Sequence, residues 1–414
     1  MAIVRSFKGI RPKKEFVDKV ASLPYDVINT EEARKMAKDN PYSFLHVDKS
    51  QIDLDPSVNQ YDKIVYEKAR DNLQNMINKK IYIQDKEKSM YIYRQRMNKR
   101  IQTGIVACTS IDDYINNIIK KHEHTREEKE KDRINHVDYC NANTGPIFLT
   151  YKNVYEIDKI VEQWTKKEAE YDFFSEDGIK HTVWIINDKD IINKLENLFK
   201  TVDYLYIADG HHRAASAVKV GQLRRNQNKN YTGEEEFNFF LSVLFPAKDL
   251  YIMDYNRIVK DLNGNSLEEF LHKVSKNFEV EKLEKENRVK PKEKGTFGMY
   301  LDNNWYKLTA KENTFKKNDL VDRLDVSILQ NNLLKPILQI DDPRTSDRID
   351  FIGGIRGLSE LERRVREDMK VAFSMYPTSI EELMEIADAK EVMPPKSTWF
   401  EPKLRSGIFI HNLK

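Results

Sequence analysis

Residues 206–221 read YIADGHHRAASAVKVG. Val202 to Ile207 reads as a buried strand, and Ala214, Ala215, Ala217 and Val218 give the next segment the small-residue face of a closely packed helix. Between them lies Asp-Gly-His-His-Arg. Gly210 permits a positive φ or a close backbone approach. The opening N–H groups of a helix have no intrahelical acceptor and carry a partial positive charge, so a strand–glycine–helix corner suits an anion. Arg213 brings a fork of donors matched to phosphate oxygens, while His211 and His212 add donors or a proton carrier. Asp209 either caps the turn or helps to hold Mg²⁺. The plainer account makes Asp209 a cap and the histidines structural. Four functional groups within five residues favour the site.

The 414 residues suffice for two domains, and 40% hydrophobic with 33% charged residues is the mix of a globular protein with a charged surface. A net charge of +2 lacks the basic excess of a general polyanion binder, so no nucleic-acid partner is expected. Two cysteines, Cys108 and Cys140, support neither a disulfide framework nor a four-thiolate metal site and fit a reducing, cytoplasmic setting. Cys140 lies outside any Cys-x-x-Cys pattern, and Cys108 sits in a β-like run that reads as core. No signal-like leader and no membrane-length apolar run occurs, so no membrane partner is expected. The composition is compatible with a homodimer.

Hydrophobic periodicity predicts strands and helices in alternation, hence an α/β to α+β architecture. Helices are predicted at 30–41 (capped by Thr30), 58–79, 189–200 and, as one long charged helix, 112–138. Strands are predicted at 89–111 as a pair joined across Asn98-Lys99, and at 145–151, 181–188 and 237–246. The charge-rich stretch 281–294 looks linker-like. We expect a nucleotide- and substrate-binding α/β region over 1–247 and a C-terminal α+β region over 248–414 that contributes to the site or supports it.

Other blocks carry chemistry. In LPYDVINTEEA (23–33), Asp26 stands outside the predicted helix and is a candidate base for a substrate hydroxyl, whereas Glu31 and Glu32 suit a helix start. In NPYSFLHV (40–47), His46 is either a satisfied core histidine or a contact to a phosphate or carboxylate. In KKHEHTREEKEKDR (120–133), His122, Arg126, Lys129 and Arg133 fall on one stripe at helical spacing. The stretch is either a solvated ion-pair helix or, through His122, Glu123, Thr125, Arg126 and Arg133, a substrate-binding face. It is a poor metal motif, because His122 and His124 would point apart on a helix. In MPPKSTWFEPKL (393–404), Lys396 is a candidate for neutralising phosphate charge. No GxxxxGK[ST] or GxGxxG pattern appears.

The strand–Asp-Gly-His-x-Arg–helix element resembles the nucleotide-phosphate loop of the ParB/sulfiredoxin superfamily, particularly its free-serine kinase branch. The blocks just quoted, with ADGHHRAA (208–215), resemble a bacterial and archaeal domain-of-unknown-function family over nearly the whole chain. Sulfiredoxins need a cysteine directly before the His-Arg pair, where this chain has His211. ParB proteins carry a Glu-Arg-Arg turn and helix-turn-helix segments, and neither is found here. The resemblance implies a ParB/sulfiredoxin-like nucleotide-binding core, ATP or ADP and Mg²⁺ as cofactors, and free serine or phosphoserine as the small-molecule substrate. In that reading Gly210, His211, His212 and Arg213 bind phosphate, and Asp26, Asp209, His211 and His212 are catalytic. Asp209 is the metal ligand. His46, His122, Glu123, Thr125, Arg126, Arg133 and Lys396 bind substrate. The expected activity is a serine kinase-like phosphotransferase; a phosphoserine phosphatase and a nucleotide-gated ParB-like binding protein are the alternatives.

Overall fold

The computed structural model describes residues 1–284 and 287–414, so part of the stretch 281–294 lies outside the described residues. The chain forms two compact units. The first holds Met1–Leu250 together with Pro402–Lys414, and the second holds Tyr251–Glu401. The tail 402–414, grouped with the C-terminal region by the sequence reading, thus belongs to the first unit.

The first unit is built on a nine-stranded mixed sheet. Its path runs Ile119–Lys120, Leu205–Asp209, Ile147–Tyr151, Phe239–Pro246, Arg100–Ser110, Met90–Met97, Lys180–Ile186 and Tyr171–Phe174, with Val4–Arg5 added on Arg100–Ser110. Two pairings are parallel, Leu205–Asp209 with Ile119–Lys120 and Phe239–Pro246 with Ile147–Tyr151; the others are antiparallel. Asn98, at the turn predicted by the sequence, takes a left-handed φ of 55°. Alternate residues such as Ile147, Leu149 and Tyr151, or Leu205 and Ile207, face one core with Ile157, Trp164, Leu195 and Phe199 from the helices Tyr155–Trp164 and Lys189–Phe199. Phe148, Thr150, Val243 and Phe245 are buried as well, so the central strands are covered on both faces and read as continuous apolar runs.

A helical layer made by Lys63–Asn78, Glu127–Cys140 and His211–Gln227 carries the site. The predicted helix 112–138 is in fact interrupted. After the short helix Ile111–Ile115, Asn117 adopts a left-handed φ of 58° and Ile119–Lys120 joins the sheet, so 121–126 is irregular and the helix begins at Glu127. The edge of the sheet supplies main-chain partners that local charge patterning cannot foresee. Similarly, Asn29 and not Thr30 caps the helix Thr30–Ala37, through a reciprocal pair in which Glu32 N–H donates to Asn29 Oδ1 (2.9 Å) and Asn29 N–H to Glu32 Oε2 (2.8 Å).

The tail is stitched in by main-chain pairs of Ile410 with Ile10 and Ser406 with Ser22, and by His411–Asn412 against Ala142–Asn143. Cys108 and Cys140 are free and buried; burial raises both thiols, Cys140 to about 12, so neither is a ready nucleophile.

The second unit contains a six-stranded antiparallel sheet ordered Phe278–Lys282, Asn304–Ala310, Thr296–Leu301, Val371–Ser374, Tyr255–Val259 and Ile349–Gly353. Ile258, Tyr300, Trp305, Leu361 and Ala372 form its core with the helix Gly357–Glu367. Val289, within the linker-like stretch, is buried there too.

Close packing of the His211–Gln227 helix requires a missing side chain. A Cβ on Gly221 would lie 2.5 Å from the Phe237 carbonyl and 2.6 Å from Ile111 Cδ1. Gly221→Ala should therefore cost about 1–3 kcal/mol by overpacking. At Gly178, where φ is +76° and no neighbouring atom lies within 4 Å, alanine meets only the left-handed backbone penalty of roughly 1–2 kcal/mol. Denaturant unfolding of both variants should show Gly221→Ala as the one whose loss needs local repacking, with a partner substitution Ile111→Val recovering part of it and leaving Gly178→Ala unchanged.

Candidate functional site

The strand Leu205–Asp209 ends in a register shift between Ile207 and Asp209, and the chain then turns at Gly210, whose φ of 90° and ψ of 33° place it in the left-handed region. This irregularity re-aims Asp209 at the strand end. The helix follows at once; its first main-chain bond joins Ala214 N–H to the Gly210 carbonyl, so the amides of residues 211–213 have no acceptor inside the helix. Asp209 is held from two sides. Its Oδ1 accepts the Gly210 N–H at 2.9 Å and its Oδ2 accepts from Lys403 Nζ at 2.8 Å. Burial on its own would raise this carboxyl, but the Lys403 ammonium and the Gly210 amide hold it below the usual carboxylate range.

Asp26, Phe148, Asp209, Gly210, Arg213 and Lys403 line one small cavity ahead of the turn, of about 20 Å³. That is room for about one water within the walls of a cavity that opens to solvent. Asp26 is exposed, in the turn at 25–26.

Arg213 lies between this cavity and a second one lined by Asp48, Arg133, His136, Thr144 and Gly145. Its contacts are long: 3.4 Å to the Pro146 carbonyl, 3.3 Å to Ser406 Oγ and 3.5 Å to Asp48 Oδ2. Ordinary N–H···O bonds are nearer ~2.9 Å, so the guanidinium is placed without being tightly bound. Gly145 makes the placement possible, since a Cβ there would come within 2.8 Å of Arg213 Nη1. Asp48 is 3% exposed and serves several cations at once. Burial would raise its carboxyl, yet His136, Arg213 and Arg133 hold it well below the normal range. Arg133 is clamped by Asp132 at 2.9 Å and lies over the Tyr25 ring at 4.1 Å, with Arg213 over the same ring at 5.2 Å.

The segment 121–126 approaches the turn from the neighbouring parallel strand. His122 is 2% exposed and its ring stands edge-on to that of His211, with centroids 4.5 Å apart. Burial, with the neighbouring ring, lowers His122 to about 3; burial, with His212 and Lys121, lowers His211 to about 4, so both rings are neutral near pH 7. Glu123 Oε2 is 3.9 Å from His211 Nδ1. The Arg126 N–H donates to His212 Nε2 at 3.0 Å, which tethers the segment to the helix. Thr125 donates to Glu130 at 2.8 Å, a local contact at the start of Glu127–Cys140.

Two of the sequence candidates do not join this group. His46 uses both ring nitrogens structurally, 2.7 Å from Asp53 Oδ1 and 3.1 Å from the Asn40 carbonyl. The Asp53 hydrogen bond raises the His46 pKa despite burial. Lys396 belongs to the second unit, where its carbonyl accepts from Arg257 and its ammonium lies 5.8 Å from the Tyr255 ring centroid. The lysine at the turn is Lys403, seven positions later in the same block, and the carboxylate under Arg213 is Asp48, one residue past the quoted NPYSFLHV. Charged residues that end apolar runs were the available signal; nothing local said which would face the turn.

Taken together, fold and site define a two-unit α/β protein whose first unit presents a glycine turn, a helix start and paired charges to a narrow cavity. The chain belongs to the family described as "Protein of unknown function (DUF1015)", whose model matches residues 4–327. No curated protein matches it. Among solved structures it is distantly similar to a free serine kinase variant in complex with AMP, at 16% identity over 73% of this chain and 88% of that one with a TM-score of 0.37. It is also similar to a conserved hypothetical protein from Pyrococcus furiosus (16% identity, 75% and 96% covered, TM-score 0.36). A third likeness is to C-terminally truncated SbnI from Staphylococcus aureus (9%, 73% and 85%, TM-score 0.39). Among the described residues no helix is long and apolar enough to cross a membrane.

The His46–Asp53 pair gives a pH signature. His46 is raised and Asp53 lowered, so their mutual stabilisation is fullest between the unfolded values, about 4 and 6.5. It fades as pH falls through the folded Asp53 value and as pH rises through the folded His46 value. The difference in unfolding free energy between wild type and Asp53→Asn should therefore peak near pH 5–6 at ~1 kcal/mol and shrink by pH 9, as read by denaturant titration across that range. Ligand binding at the turn should be unchanged in His46→Gln.

Proposed function

We propose that the chain is a nucleotide-dependent phosphotransferase acting on free L-serine or phosphoserine, with a ParB/sulfiredoxin-like core. The observation that supports it best is the composition of one cavity: a positive-φ glycine opening a helix, the cations Arg213 and Lys403, and the carboxylates Asp26 and Asp209 all line it. Phosphoryl transfer requires that set, donors fixed where phosphate charge develops and a carboxylate to take the hydroxyl proton. The serine end of the reading, and ATP or ADP as the phosphate carrier, rest on the resemblance of the 208–215 block to the free-serine kinase branch.

In this reading Gly210 and the 211–213 amides cradle phosphate oxygens, and Arg213 turns from its long contacts to bind them. Asp26, at the exposed rim, receives the proton of the substrate hydroxyl. Asp209 is the residue that would hold the Mg²⁺ accompanying a nucleotide, and the ion would supply charge neutralisation. Lys403, paired with Asp209 in this structure, is then available to the phosphate. Arg133 and Asp48 set the field behind Arg213 and keep it oriented.

The test is turnover of the full chain with L-serine and ATP or ADP, and of phosphoserine with and without ADP, all with Mg²⁺. We expect phosphate exchange that depends strictly on nucleotide. Arg213→Gln should lower kcat/KM by roughly 10²-fold or more, the scale of losing one oxyanion donor, with the fold retained by circular dichroism. Gly145→Ala, which displaces the guanidinium without removing it, should lower turnover in the same direction. Full activity in Arg213→Gln would overturn the reading, and phosphate release from phosphoserine without nucleotide would replace it with hydrolysis.

A further inference from the structure

The pair of buried histidines beside the turn is not explained by phosphate binding. Among the described residues, neither ring nitrogen of His122 makes a hydrogen bond, and Nε2 of His211 has none either. Each unsatisfied buried polar atom costs about 1–3 kcal/mol, so three together at one spot call for a partner. The two rings cannot serve each other, because they meet edge-on at 90°.

We propose that His122, His211 and Glu123 bind one divalent cation of the zinc class. One ligand atom from each of the three lies within 4.8 Å of the others. Metal bonds of about 2.1 Å in a tetrahedral set bring ligand atoms to ~3.4 Å, so modest inward movement of the irregular 121–126 segment completes the site. The sheet makes the juxtaposition firm. Ile119 and Lys120 pair in parallel with Leu205 and Tyr206, so both strands run to the same end of the sheet. His122 follows one strand by two residues, and His211 follows the other by two.

Two uncharged imidazoles and a carboxylate select a borderline metal such as Zn²⁺ over Mg²⁺, whose preference is for oxygen and water. Three protein ligands leave a further position for water or a ligand oxygen. Because His211 adjoins Gly210, an ion there adds positive charge directly beside the anion-directed turn. The site stands on these side chains alone and survives if the substrate of the phosphotransferase reading proves different.

The full chain, stripped of metal by chelating resin, is titrated with Zn²⁺ against a chromophoric chelator, and its Co²⁺ complex is examined by visible absorption. We expect one Zn²⁺ per chain, retained in a large excess of Mg²⁺, and an intense Co²⁺ spectrum of low coordination number. His122→Ala and His211→Ala should each weaken binding at least as much as the 10- to 100-fold loss typical of a supporting residue around a metal. His124→Ala, at an exposed position, should leave it unchanged. Substoichiometric Zn²⁺, displacement by Mg²⁺, a weak octahedral Co²⁺ spectrum, or undiminished affinity in the double variant would each overturn the site. The wild-type titration and spectrum decide the matter even if a variant fails to fold.

Discussion

The carboxylate of Asp209, bonded on one side by the Gly210 amide and on the other by the Lys403 ammonium, is the contact on which the site depends. It joins a strand end, a helix start and the returning C-terminal tail at one point. The Lys403 side chain is largely buried while that of Asp209 is partly exposed, so the pair matters most for the lysine, whose charge is costly to bury. The tail segment therefore completes the first unit electrostatically as well as through its main-chain pairs with Ile10, Ser22 and Ala142–Asn143.

Behind this contact lies a second balance of charge. Asp48, in the interior, faces Arg133, Arg213 and His136, and Tyr25 covers both guanidiniums. Arg133 has a close partner of its own in Asp132, whereas among the described residues the polar contacts of Arg213 are all long. The difference matters for function: one arginine is fixed scaffolding, and the other is poised at a cavity wall. His122 and His211 are neutral and add no charge, which leaves the turn's positive field to Arg213, Lys403 and the helix start.

Much of this was legible in the sequence. The Asp-Gly-His-His-Arg corner between strand and helix, the Asn98 turn and the alternating order of elements all follow from local rules: period-two burial, the steric freedom of glycine and asparagine, and the small face of Ala214, Ala217 and Val218. The helix predicted across 112–138 failed because a sheet edge captured Ile119–Lys120, and no local pattern announces a distant strand's open edge. For His46 the sequence left a satisfied structural histidine and a ligand contact both open, and the structure shows the first. Its partner Asp53 is local, but nothing in the sequence says that both imidazole nitrogens are used.

The sequence by itself determined that a glycine corner would aim a helix start and an arginine at one place, because those preferences are set within a few residues. Only the tertiary structure decided which carboxylate, lysine and second histidine would meet them. Lys403 reaches Asp209 from 194 positions away, Asp48 comes under Arg213 from another helix, and His122 joins His211 through parallel strand pairing. Those encounters are fixed by sheet order and layer packing, which depend on contacts between residues far apart in the sequence.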